Sequence, residues 1–173
     1  MSKFSILFSA ILLAAGSTAA LAQAPTDAQI ASIVVTANQV DIDAGKYAER
    51  HAHAADVKAF ARQMVTDHTG VNKQAAALAT KLKLTPQDNP TSQSLKQGGV
   101  DTQKKLDALK GAAFDKAYID REVDYHAQVI DAIDKTLIPN AQNTELKDLL
   151  VKYRPAFVGH LEHAKQIQAK LAK

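Results

Sequence analysis

Apolar positions recur every three or four residues in four long stretches of the chain, and alternating β-branched runs are nearly absent, so the pattern predicts helices throughout. The first stretch puts Val34, Ala37, Asp41, Ala44 and Ala48 on one face. In the second, Val57, Ala61, Met64, His68, Val71, Ala75, Leu78 and Leu82 follow one another in alternating steps of four and three. The third stretch reads Ile119, Val123, His126, Ile130, Ile133 and Leu137, and the fourth reads Leu146, Leu150, Tyr153, Phe157, His160, Ala164, Ile167 and Leu171.

Local signals set the expected ends of these helices. Thr26 with Gln29 three residues on forms a capping box for a first helix running to about His51. Asp56 is expected to cap a second helix, which Thr85 and Pro86 stop near Leu84. A shorter helix over 91–109 is expected to break at Gly98 and Gly99 and to end at Gly111. A third long helix over 113–137, a turn over 139–143 and a last helix from Thr144 to the C-terminus complete the chain. Two helical hairpins joined by a connection of about 30 residues imply an all-α four-helix bundle with one long crossover containing a short extra helix, the ferritin-like arrangement. A meandering five-helix domain would show the same pattern.

Each seam carries one titratable residue near its middle: Asp41, His68, His126 and His160. Measured from the turn near His53, Asp41 and His68 lie at heights that differ by roughly 3 Å. From the turn near Ala141, His126 and His160 differ by roughly 6 Å, which makes Glu122 the better match for His160. Glu122 and His126 are four apart and share a helix face. The candidate site is therefore Asp41, His68, Glu122, His126 and His160 in the bundle interior. The plain alternative for a buried histidine is a neutral core side chain hydrogen-bonded to a neighbour such as Asp41 or Tyr153. If neutral in the fold, these histidines have pKa values below the usual 6.5, and the stability they permit is lost as pH falls.

The 173-residue chain has no cysteine, which excludes thiol catalysis, Cys-ligated zinc, iron–sulfur clusters and disulfides. A formal net charge of +3 implies no nucleic-acid partner, and neither a glycine-rich phosphate loop nor a basic stripe with aromatics is present. Lys3, an uncharged apolar run over 4–15 and Ala20-Leu21-Ala22 read as a signal peptide over 1–22, with a second cleavage motif ending at Ala24. The domain would then span 25–173, exported to a bacterial periplasm or secreted, with no transmembrane helix in the mature chain.

Asn38, Gln39, Asp41 and Gly45, the run Met64-Val65-Thr66-Asp67-His68, and Phe114, Asp115, Tyr118, His126, Arg154, Pro155, Phe157, His160 and Leu161 together resemble a bacterial exported family of unknown function. Its members are described as ferritin-like and often labelled membrane or outer-membrane proteins. The resemblance covers nearly the whole mature chain and implies fold and export more than function. Positions equivalent to Asp41 often carry Glu in similar sequences, so a shorter carboxylate stands here.

Di-iron carboxylate bundles place a Glu-x-x-His on each of two helices, and this chain has none. Iron storage and oxygen-activating di-iron chemistry are thereby disfavoured, whereas three imidazoles and a carboxylate suit a single zinc, iron, manganese or copper ion. Around this set, His163 is a reserve ligand, Asp67 a flanking acid pointing about 100° from His68, and His51 and His53 peripheral residues near the first turn. Pro155 is expected to bend the last helix. Two functions follow: a core metal-binding protein, or a noncatalytic envelope interaction protein, structural or stress-related, with a hydrogen-bonded His/Asp core, envelope protein partners and no metal. No motif names a substrate.

Overall fold

The computed structural model describes residues 24–172, so the proposed signal peptide over 1–22 lies outside the described residues. The chain forms α1 (Asp27–His51), α2 (Ala55–Lys81), α3 (Pro90–Asp107), α4 (Gly111–Ala132), a π-helical turn Ile133–Leu137, the short α5 (Ile138–Asn140) and α6 (Thr144–Leu171). No strand occurs among the described residues. None of the described helices is long and apolar enough to cross a membrane.

α1 packs along α2 and α4 packs along α6, while α2 against α6 and α1 against α4 close the four-sided bundle. Contacts at the two ends give the directions. Gln87 donates its amide to the Ala28 carbonyl (3.0 Å), so the α2–α3 link returns to the start of α1. At the far end the Asp115 carboxylate accepts the amides of His53 and Ala54 (2.8 and 2.7 Å), fixing the start of α4 beside the α1–α2 turn. Asp27 likewise accepts the amides of Gln142 and Asn143 (2.8 and 2.9 Å). α3 therefore travels the length of α1 as the crossover, and α4 and α6 form the second hairpin. The expected four-helix bundle with a helix-containing crossover is the observed fold.

Several local expectations are corrected. The Thr26–Gln29 capping box is present, but Asp56 lies inside the first turn of α2, whose N-cap is Ala54. Asp115 instead anchors the turn that leads into α2, accepting the amides of His53 and of the N-cap residue Ala54. α2 ends at Lys81, before Thr85 and Pro86, because Lys83 adopts φ 54° and the amides of Lys83 and Leu84 turn back to Thr80 and Ala79 (3.1 and 2.9 Å). α3 starts one residue earlier than expected, on an Asn89–Ser92 capping box with Pro90 in its first turn. It also runs unbroken through Gly98 and Gly99, since Gly99 lies against Val40 of α1, where a Cβ would meet that side chain at 3.2 Å. Gly111, at φ 56°, opens α4 instead of closing α3. The third long helix widens into the π-helical turn before Pro139. As expected, Pro155 lies inside α6, on its exposed side.

Small residues let α1 and α2 approach closely. A Cβ on Gly45 would stand 3.0 Å from both the Ala61 carbonyl oxygen and Val65 Cγ2. Ala44, Ala48, Ala61, Val57, Phe60 and Met64 pack there with Phe114, Tyr118, Ile119, Ala164 and Ile167 in one apolar cluster. A second cluster at the opposite end contains Ile30, Ile33, Ile133, Leu137, Leu146, Leu150 and Phe157. The titratable residues of the seams lie between these two apolar layers.

Candidate metal centre

Helical periodicity carries one of the candidate side chains from each of α1, α2 and α6, and two from α4, into the gap between the apolar layers. Asp41, His68, Glu122, His126 and His160 are all buried, none more than 4% exposed. The structure brings all five sequence-named residues together. Glu122 is fully buried, and Val123 beside it is partly buried against the apolar core. One particular differs. His126, not Glu122, is level with His160, the two rings standing 5.4 Å apart. The second turn is centred near Gln142, between Asn140 and Thr144, one residue later than expected. That shift reduces the height mismatch of His126 and His160 to roughly 3 Å.

Each imidazole has one nitrogen engaged by a neighbouring acceptor. His68 Nδ1 donates to Asn38 Oδ1 (2.6 Å), an oxygen whose identity is set because Asn38 Nδ2 donates to the Val34 carbonyl (2.9 Å). His126 Nδ1 donates to the Glu122 carbonyl (3.0 Å). His160 Nε2 donates to the Asp67 carboxylate (2.9 Å). A proton on each of these nitrogens leaves the other nitrogen of each neutral ring with a lone pair. Those atoms, His68 Nε2, His126 Nε2 and His160 Nδ1, are buried without a hydrogen bond. The three rings thus converge, and their ligand atoms lie within 4.8 Å of one another.

Asp41 completes the group. Its Oδ2 lies 2.9 Å from His68 Nε2 and 3.9 Å from His126 Nε2. The nearer pair stands at ion-pair distance and helps hold the Asp41 carboxyl ionised, although neither atom makes a hydrogen bond of good geometry. Among the described residues seven buried side-chain polar atoms lack a hydrogen bond, and each of the five candidate residues contributes one of them. Native interiors pair nearly all such groups, so the gathering of five of the seven at one place sets this cluster apart from the rest of the core.

The sequence reading missed Arg121. Its guanidinium is hydrogen-bonded to Asp41 Oδ1 and to Glu122 Oε1, and it stacks over Tyr125 with Cζ 4.0 Å from the ring centroid. Lying next to Glu122 and off the apolar seam, Arg121 gave no periodic signal. Burial would raise the Asp41 carboxyl, but Arg121, His68 and His126 outweigh it and hold it well below the usual range. Burial pulls the His126 imidazole down, yet Glu122 and Asp41 prevail and keep it above its ordinary value. His160 is lowered to about 4, by burial first and by the neighbouring His68 and His126, with Asp67 opposing. The expectation that all the seam histidines are depressed is therefore corrected for His126, because two carboxylates face it.

Of the outlying residues, Asp67 holds His160 in place, as its flanking position allowed. His163 lies outside the cluster, with Nδ1 on Gln63 Oε1 at 3.1 Å and its ring edge-on to Phe60. His51 stacks on Tyr47 at 3.9 Å between centroids. A groove of about 360 Å³ between α2 and α6, lined by Asp67, His68, Gly70, Phe157 and His160 among others, leads from the surface to the cluster.

Fold and site together define an all-α bundle with a buried histidine–carboxylate cluster. The chain belongs to the family described as Domain of unknown function (DUF4142), which matches residues 12–167. The solved structure "CopM in the Cu(II)-bound form" is similar in fold, with a TM-score of 0.65 and 14% identity over 86% of this chain and 99% of that one. No curated protein sequence matches the chain.

Proposed function

We propose that the protein is an exported, ferritin-like bundle that binds one divalent transition-metal ion in its core through His68 Nε2, His126 Nε2, His160 Nδ1 and Asp41 Oδ2. The single observation that carries this reading is the convergence of buried, unpaired lone pairs whose opposite ring nitrogens are each fixed by Asn38, the Glu122 carbonyl or Asp67. Metal-binding histidines are oriented in this way by an acceptor on the far nitrogen. Three imidazoles with one carboxylate and no thiolate suit zinc, copper, iron or manganese, and copper is the first ion to try because the structurally similar CopM is described in a Cu(II)-bound form. Such an ion would supply a Lewis-acid or redox centre. The residues here ligate it, orient the rings and keep bulk water away, with the α2–α6 groove as its entry.

A second reading rests on charge. Arg121 offsets only one of the two buried carboxylates, Asp41 and Glu122, and an imidazolium at His126 would balance the other. The core would then be a hydrogen-bonded network inside a noncatalytic envelope protein. Melting temperatures with added copper, zinc, manganese or anaerobic ferrous ion separate the two, because an ion that binds only the folded state raises the melting temperature by mass action. The metal reading expects a rise that is abolished by His68→Ala and kept in His51→Ala. His68→Ala lowers stability under either reading, so the quantity to compare is the metal-dependent increment. No increment with any of the four ions would leave the network reading.

A further inference from the structure

The cluster contains two overlapping sets of ligand atoms. His68, His126 and His160 form one, and Asp41, Glu122 and His126 form the other. His126 has only one free nitrogen, so it can serve one of them at a time. Asp41 can serve both, since Oδ2 faces the histidines and Oδ1 faces away from them. On that second side the guanidinium of Arg121 joins Asp41 Oδ1 to Glu122 Oε1, leaving Glu122 Oε2 buried without a hydrogen bond, 3.4 Å from His126 Nδ1.

Resting on the core-metal reading above, we infer that Arg121 is a built-in counter-cation that limits the core to one metal ion by occupying the position between Asp41 and Glu122 that a second divalent ion would take. A guanidinium and a hydrated or ligated cation answer the same need here, which is positive charge against two carboxylates that water does not reach. Two features show that the position is built. Arg121 is held from behind by the Tyr125 ring. It also lines the floor of both grooves that flank α3, one of about 690 Å³ against α1 and one of about 530 Å³ against α4. With the side chain shortened, those grooves would lead directly to Asp41 and Glu122, so a second ion has an approach separate from the α2–α6 groove. Its ligands would be Asp41 Oδ1 and the Glu122 carboxylate, an oxygen set in contrast to the imidazole-rich first position.

The test is the cobalt(II) content of the untagged protein after equilibrium dialysis, for wild type, Arg121→Lys, Arg121→Ala and the double variant Arg121→Ala/Glu122→Gln. One ion per chain is expected for wild type and for Arg121→Lys, which keeps the charge. Two are expected for Arg121→Ala and one again for the double variant. A value of one for both wild type and Arg121→Ala overturns this inference and leaves the core-metal reading intact. No ion in wild type but one in Arg121→Ala supports the Asp41–Glu122 position and overturns the histidine site. No ion in either overturns this inference, while the core-metal reading stands or falls with the four-ion melting test above. Should Arg121→Ala be unfolded without metal, its far-ultraviolet helix signal is expected to return as cobalt is added, and a chain that stays unfolded in excess cobalt counts against the inference.

Discussion

His126 and His160 have rings 5.4 Å apart and yet are pushed in opposite directions, His126 up by Glu122 and Asp41 against its burial, His160 down to about 4 chiefly by burial. The sign of the pH dependence follows. A depressed histidine lends stability above the unfolded value of about 6.5 and loses it as pH falls toward the folded value, whereas a raised one loses its contribution as pH rises through the folded value. The metal-free protein is therefore expected to lose thermal stability between about pH 6.5 and 4, and His160→Gln to flatten that limb. Melts of both proteins across that range check it, and an unchanged slope in the variant would mean that His160 is not the group responsible. At this scale the sequence revealed the histidines and Asp41, because a polar residue in an apolar seam is conspicuous. It did not reveal Arg121 or the purpose of Asn38. An arginine beside a seam reads as solvated, and an asparagine one turn from Asp41 declares its partner only when the helices are packed.

The helices supply the spacing that lets such short side chains meet. At Gly45 α1 and α2 approach closely, and an added methyl would press on the Ala61 carbonyl, a backbone atom that cannot swing aside. Gly45→Ala is expected to destabilise the protein by ~1–3 kcal/mol, as overpacking of a close contact does, despite the better helix propensity of alanine. Urea unfolding of the variant measures this, and a stability equal to or above wild type would show that the helix pair can relax. Periodicity and the Thr26 capping box made the long helices legible. The places where it failed share a cause: the turn into α2 held by Asp115 from another helix, Gly99 packed on α1, and α2 closing on Lys83 are all settled by contacts or backbone conformations that leave no local mark. The π-helical turn over Ile133–Leu137 belongs with them, and Arg154 pins it from α6 through paired bonds to Asp134 (2.6 and 2.7 Å).

At the scale of the whole molecule, two apolar layers hold the bundle while the layer between them carries the charge. Four helices each contribute to that middle layer, so the site exists only in the assembled fold, and a metal bound there would be coupled to folding. The crossover arrangement could be read from the one long connection between two short-looped hairpins, and α3 fills that connection while placing grooves on both sides of Arg121. The most direct test of the core-metal proposal is X-ray absorption of the copper- or zinc-loaded, untagged protein. A single ion with three imidazole nitrogens and one carboxylate oxygen at about 2.0–2.2 Å is the expected spectrum. An ion that shows only water or carboxylate oxygens, or whose imidazole signal survives His68→Ala unchanged, would contradict a metal centre in the bundle core.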